Sequence, residues 1–561
     1  MNKASAFSFR TVALSLILVY FLMGASLFLD RLELNNDEAT IGMAALCLIT
    51  PEAPTYRSRL MHGGCTISSE HKGAVASFPA ALVFLLFGKS VFNFRFVQVL
   101  FSLGSLACIY YVCSRHLGRM VGVFTVFLLA INSTFIRVTR IGNMKDEVIQ
   151  IFLFWLGLAL IQLFLERKKK FFLFAAGFIS GVALWQKLMF LGYLLGFLAA
   201  FLVFGRKSYR FLKTRVFRAR RDIAVFAAAF AAGCAPLLVY NIFHRWPTIA
   251  DIFGSFDGPS SHAHAEGWNN LNFLHNLALR FHGLNKMLGG NNVPDAMFSR
   301  GNIFNLLLFY IALGAVLLYL FLGKKNPIAK NKVWFLLTAY SVLLLLSAFI
   351  PDSGAFDPSH IIILLPVIQI VQAIFLSLVI IYAARQAWAY LIIASMLIPH
   401  CYGEFVIIKN ILLFQKGGKI VSLSFTRRLV EYLEKQKIKE IFCFDNRLLA
   451  SIDFLSELRI ISWGFNVSEN DFWGHPLHAT GVPGHMKISV ESVYEYQLKG
   501  MNTFYLIRNR YNDFSESGFQ RLKTLIERDN KQLTLMEVFT NEVKNLYLEI
   551  YRVQDHAGAG L

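Results

Sequence analysis

Residues 74–88, AVASFPAALVFLLFG, decide how this chain is folded. They are apolar enough to enter a bilayer, yet at about 15 residues they fall short of the roughly 17 that a crossing helix needs. Counted as a span, they send every later loop to the opposite side of the membrane. Read as an interfacial or re-entrant helix, they belong to a long loop over about residues 30–90. The charges of the other loops choose between these readings.

Apolar runs of bilayer length fall near 11–29, 91–113, 120–136, 147–165, 171–186, 188–205, 223–243, 303–323, 332–350, 360–381 and 386–403. With the N-terminus in the cytoplasm and 74–88 left out, the loops at 115–119, 166–170 and 206–221 all land inside. So do Lys324, Lys325, Lys330, Lys332 and Arg385. Short loops dense in Lys and Arg mark the cytoplasmic face, so this eleven-span register is favoured. Composition agrees: of 561 residues, 56% are hydrophobic and only 16% charged, against about 25% charged in soluble domains. The net charge of +20 reads as basic inner loops rather than a nucleic-acid surface. Lys3 and Arg10 ahead of 11–29 also suit a signal peptide, but the run is long and its Gly24-Ala25-Ser26 a poor cleavage match, so a retained span is read. The seven cysteines form no CxxC or Cys/His spacing for a structural metal.

This topology puts the unusual polar clusters outside. FLDRLELNNDEATIG (28–42) carries Asp37 and Glu38 just beyond the first span, IRVTRIGNMKDEVIQ (136–150) carries Arg137, Arg140, Lys145, Asp146 and Glu147, and PDSGAFDPSH (351–360) carries Asp352, Asp357 and His360. A second long outer loop, 244–302, holds His262, His264, Glu266 and Trp268. Cations at 137–145 run against the positive-inside trend. Either they bind an anion at the outer surface, or they pair with Asp146 and Glu147. Asp37 and Glu38 suit the first turn of a helix capped by Asn35 or Asn36 equally well. Cys47 and Cys65 share the outer loop and are read either as a disulfide or as free thiols. Asn132-Ser-Thr and Asn466-Val-Ser match the glycosylation sequon.

Past residue 404 the apolar runs shorten and charges rise. RRLVEYLEKQK (427–437), NRLLASIDFLSE (446–457) and FQRLKTLIER (519–528) read as helices; KEIFCFD (439–445), LRIISWG (458–464), TFYLIRN (503–509), QLTLMEVF (532–539) and NLYLEIYRV (545–553) read as strands. The expectation is a polytopic helical domain over 1–403 and an extracytoplasmic α/β domain over 404–561. No GxGxxG or Walker loop supports nucleotide binding.

Several of these pieces, in order, resemble the glycosyltransferase family 39 group of the GT-C superfamily, which includes protein O-mannosyltransferases and the lipid A aminoarabinose transferase. They are the acidic pair after the first span, His71 opening a short apolar helix, the Phe-Gly at 87–88, Arg95 in the next span, the second acidic motif at 145–147, and His360 ahead of an apolar run reaching Pro366. The likeness is fullest over 1–205. It implies a GT-C fold of about eleven spans in a bacterial inner membrane. It also implies transfer of a hexosyl or pentosyl group from a polyprenyl-phosphate donor to a lipid, glycan or protein acceptor on the outer face.

On that resemblance Asp37 is the general base, with Glu38 and Asp146 as supporting carboxylates. A base must take the acceptor's proton, and negative charge steadies the oxocarbenium-like sugar. Arg95, Arg137, Arg140, Lys145 and His360 are the candidates to carry the departing phosphate, with a divalent cation, Mg or Mn, as the alternative carrier. Two other classes fit a polytopic basic chain: a transporter or flippase of lipid-linked sugars, and a non-catalytic scaffold. The spans show no inverted repeat of the kind many transporters carry.

Overall fold

The structure is a computed structural model. It describes residues 3–31, 36–50, 67–69, 72–140, 145–188, 190–204, 206–243, 246, 248, 273–289, 302–323, 327–348, 362–383, 387–416, 423–443, 452, 455–456, 461–464, 467–468, 471–472, 494, 498, 501–509, 513–541 and 546–555. The chain divides into two compact units. The first comprises Met1–Leu27, Glu70–Val75 and Arg95–Leu413; the second comprises Phe28–Ser69, Ala76–Phe94 and Phe414–Leu561.

The first unit is a helical bundle: α1 (Lys3–Ser26), α4 (Val91–His116), α5 (Arg119–Ile131), α6 (Ser133–Arg140), α7 (Lys145–Arg167), α8 (Lys170–Gln186), α9 (Phe190–Phe204), α10 (Arg206–Gly233), α11 (Ala235–Phe243), α12 (Phe273–Leu288), α13 (Ile303–Leu322), α14 (Lys330–Ser347), α15 (Leu365–Ala383) and α16 (Ala387–Lys416). Each run read from the sequence as a span falls on one of these helices or, at 120–136 and 223–243, across two. Among the described residues, five helices can cross a membrane by length and hydropathy, and seven spans result if each bent pair is one. The chain is an integral membrane protein. The bent pairs are α5–α6 and α10–α11, each turning by 59°. The apolar run at 120–136 is therefore broken at Asn132, which hydropathy alone does not reveal. α8 and α10 meet backbone to backbone, because a side chain on Gly181 would run into the Phe230 carbonyl and one on Gly233 into that of Phe178. Small residues allow such close approach where lipid supplies no hydrophobic drive. The loop 244–302 contains α12, an amphipathic helix not anticipated from the sequence.

In the second unit, α2 (Asn36–Ile49) packs against α3 (Ser77–Phe87). The eleven residues of α3 extend only about 16 Å, roughly half the hydrocarbon thickness. The helix is separate from α4 for a local reason. Gly88 adopts φ 84°, a conformation that favours glycine. Ser90 then caps α4 by accepting from the Asn93 amide at 3.0 Å, while the Asn93 side chain donates to the Phe87 and Gly88 carbonyls at 3.0 and 2.8 Å. Ser77, Ala80, Ala81 and Phe84 are buried, whereas Phe78, Leu82, Leu85, Leu86 and Phe87 are exposed, as suits an interfacial helix. Cys47, on α2, is disulfide-bonded; Cys65, the partner offered by the sequence, lies outside the described residues.

The second unit also holds a five-stranded mixed sheet. Its strands are β1 (Glu440–Cys443), β2 (Ile461–Gly464), β3 (Thr503–Asn509), β4 (Lys531–Asn541) and β5 (Leu546–Asp555), in the order β2-β1-β3-β5-β4. β1 runs parallel to β2 and β3, and β5 runs antiparallel to β3 and β4. Alternation along the strands gives the sheet two apolar faces. Ile441, Cys443, Ile507, Leu548 and Ile550 pack with Leu429, Val430 and Leu433 of α17 (Leu423–Lys435). Phe442, Phe504, Leu506 and Val553 pack with Phe519, Leu522 and Ile526 of α18 (Asp513–Arg528). The strands and the helices at 427–437 and 519–528 thus lie where the sequence put them, and the helix expected over 446–457 lies largely outside the described residues.

Candidate functional site

Arg137 and Arg140 of the basic cluster stand on α6, and buried polar contacts hold that short helix. Asn132 is fully buried at the bend, and its side-chain oxygen accepts from the Phe135 amide at 2.9 Å, as a helix cap does. That burial rules it out as the glycosylation acceptor its sequon suggested. Glu404, on α16, accepts from the Ser133 amide at 2.6 Å through one carboxylate oxygen and from the Asn302 side chain at 3.1 Å through the other. Thr134 Oγ1 donates to the Met287 carbonyl at 2.9 Å, at the end of α12. At the far end of α6, the Thr139 hydroxyl meets that of Ser102 at 2.7 Å, and Arg140 donates to the carbonyls of Gly24 and Leu27 at the end of α1.

Among the sequence candidates, Arg95 on α4 and Arg140 on α6 are fully buried, and they interact electrostatically with each other. Arg137 is half-buried on the same short helix as Arg140. Two Arg140 nitrogens are engaged by main-chain oxygens, so this residue has a structural role. A cation on the last carbonyls of a helix satisfies them and complements the helix dipole. Lys145 and Asp146 stand in the first turn of α7, but their side chains lie outside the described residues, as does that of Glu147. In the second unit, Asp37 and Glu38 occupy the first turn of α2. Glu38 is fully buried rather than solvated, while the Asp37 side chain is outside the described residues. His360, His262, His264, Glu266 and Trp268 are also outside them. Among the described residues no group of three His, Cys, Asp or Glu side chains could hold a metal ion.

Several groups that matter here were not singled out from the sequence. His400 and Glu404 are buried on α16 and Asn302 is buried at the start of α13. Lys187, just past the end of α8, and Arg280, on α12, are buried cations. Arg280 Nε donates to the Ser347 carbonyl at 3.1 Å, and Asn276 to that of Ala348 at 3.3 Å, closing the end of α14. Asn305 in turn donates to the Leu288 carbonyl at 2.9 Å at the end of α12. A charged residue within an apolar helix was the available signal for Glu404. It was missed because the apolar run was read as ending at residue 403.

Residues 71–244 match the family model for dolichyl-phosphate-mannose-protein mannosyltransferases. The structure of ArnT from Cupriavidus metallidurans bound to undecaprenyl phosphate superposes with a TM-score of 0.60, at 12% identity, over 98% of this chain and 98% of that one. This chain has the GT-C glycosyltransferase fold. Apo ArnT matches with a TM-score of 0.54, at 11% identity and the same coverage. The apo Archaeoglobus fulgidus oligosaccharyltransferase reaches 0.48 at 12% identity, over 89% of this chain and 69% of that one, too slight a likeness to argue from. No curated protein sequence matches. In this GT-C chain the family match spans α3 to α11, including α6 with Arg137 and Arg140 and the first turn of α7.

Proposed function

We propose that the chain is a membrane glycosyltransferase that moves a hexosyl or pentosyl group from a polyprenyl-phosphate donor to an acceptor on the outer face of the membrane. The observation that carries this reading is the GT-C fold, shared over 98% of the chain with a protein solved with undecaprenyl phosphate bound. The mannosyltransferase match over 71–244 supports it.

Each proposed role follows from the chemistry of transfer. Asp37 takes the proton of the acceptor hydroxyl as it attacks the anomeric carbon. Glu38 and Asp146 steady the positive charge that develops on the sugar ring. Arg137, Lys145 and His360 meet the departing lipid phosphate through charge-assisted hydrogen bonds. The buried guanidiniums of Arg95 and Arg140 add a positive field to that side. A cytoplasmic N-terminus with the 404–561 domain outside accords with the loop charges, and the Cys47 disulfide accords with an oxidising compartment for the second unit.

The test is reconstitution in nanodiscs with labelled polyprenyl-phosphate sugars, one hexose and one pentose at a time, with envelope extract as acceptor. Release of polyprenyl phosphate together with a labelled product supports the reading. Movement of intact donor across a vesicle bilayer without cleavage would instead establish the flippase.

A further inference from the structure

α6 has eight residues, too few for helical hydrogen bonds alone to fix its direction. Its direction is set by what grips its ends. We infer that Glu404 is a positioning residue for the phosphate side of the site: its carboxylate grips the first turn of α6 and so aims Arg137, one turn further along. This rests on the glycosyltransferase reading above.

Three observations carry it. A fully buried carboxylate on an apolar helix is costly unless it is well compensated, so its presence calls for a purpose. Both of its oxygens are engaged with elements other than its own helix: the Ser133 amide at 2.6 Å and the Asn302 amide at 3.1 Å. The first of these is the positive end of α6, which a carboxylate complements. The second partner is itself held in place. The Asn302 side chain accepts from the Asn305 amide at 3.4 Å, donates to the His400 carbonyl at 3.0 Å and lies 3.1 Å from His400 Nδ1. A Cβ at position 403 would lie 2.6 Å from Asn302 Cγ, so glycine there makes room for the amide. α16, the cap of α13 and the start of α6 are thereby joined at one carboxylate. The other end of α6 is fastened by Thr139 and Arg140. Releasing Ser133 leaves the first turn held by only the Asn132 cap and the Thr134–Met287 hydrogen bond, which loosens α6 and with it the aim of Arg137.

The experiment compares wild type, Glu404→Ala, Glu404→Gln, Arg137→Ala and the Glu404→Ala/Arg137→Ala double variant, as full chains in nanodiscs. Amide hydrogen exchange over 133–140 should quicken by about tenfold in Glu404→Ala, as for a lost charge-assisted hydrogen bond. Glu404→Gln keeps an oxygen for the Ser133 amide and should stay within about threefold of wild type. In turnover, Glu404→Ala should raise KM for the lipid donor about tenfold while kcat changes by less than about threefold. The double variant should have no higher KM than Arg137→Ala, because the two residues act in series. Unchanged exchange over 133–140, or KM effects that multiply in the double variant, would overturn the inference. If Glu404→Ala does not fold, Asn302→Ala takes its place, with a rise of about threefold expected in both exchange and KM. A wild type that cleaves no polyprenyl-phosphate sugar would overturn the functional reading and the aiming of Arg137 with it. The exchange result would still decide whether Glu404 grips α6.

Discussion

The bundle and the sheet unit bury charge in different ways. In the sheet unit, side chain meets side chain: Arg508 on β3 lies 3.0 Å from Glu549 on β5, and Tyr551 donates to the same carboxylate at 2.7 Å. In the bundle, charges close the ends of helices. Glu404 meets the first amide of α6, Arg140 the last carbonyls of α1, and Arg280 the end of α14. A pair of side chains can be replaced as a pair. Loss of a charge that closes a helix leaves backbone groups stranded in an apolar setting.

Arg140→Leu tests this most severely. It strips two hydrogen bonds from the end of α1 and should cost about 3 kcal/mol, from about 1.5 kcal/mol or more per bond to a charged group. The readout is a large fall in the melting temperature of the detergent-solubilised protein, and no single second substitution should restore it. Arg508→Leu should cost about 2 kcal/mol, but adding Glu549→Leu should recover most of it, since an apolar pair replaces a buried ion pair nearly neutrally. Failure of that rescue would erase the contrast between the two units. Gly181→Ala forces α8 and α10 apart and should cost about 1–2 kcal/mol of bundle stability with no effect on the sheet unit.

A smaller effect concerns pH. Burial, then the hydrogen bond to Glu549 and that residue's charge, push Tyr551 up to about 12 from 10.0. A phenol whose folded pKa is raised contributes stability that is fully present below pH 10 and is lost as pH climbs toward 12. Tyr551→Phe should therefore flatten the alkaline limb of the sheet unit's melting profile between those values. Smallest of all, Lys523→Ala breaks only the exposed pair with Glu527 at 3.7 Å and should shift stability by less than about 0.5 kcal/mol.

The sequence revealed most about elements whose pattern is internal to them. TFYLIRN is β3 residue for residue, and AVASFPAALVFLLFG contains α3 because Gly88 and Ser90 are local signals of an ending and a beginning. What stayed hidden depends on distant partners. The bend at Asn132 sits inside an apolar run, where one polar residue leaves hydropathy almost unchanged. Arg140 reads as a phosphate ligand because its structural partners are main-chain oxygens of α1, which no side-chain spacing encodes. Glu404 lies just beyond residue 403, where the apolar run reads as ending, whereas α16 continues to Lys416. α12 hides within a loop because the face it buries carries Asn276 and Arg280 among its apolar residues. The acidic pair stands out by resemblance alone, and the structure adds that Glu38 is buried.

The most direct test of the central claim is sugar transfer by wild type and Asp37→Asn in the same nanodiscs, with donor binding measured separately. A lost general base should lower kcat by about 10²–10⁴ while leaving the affinity for the polyprenyl-phosphate sugar within about threefold. Turnover by Asp37→Asn at the wild-type rate would contradict the account.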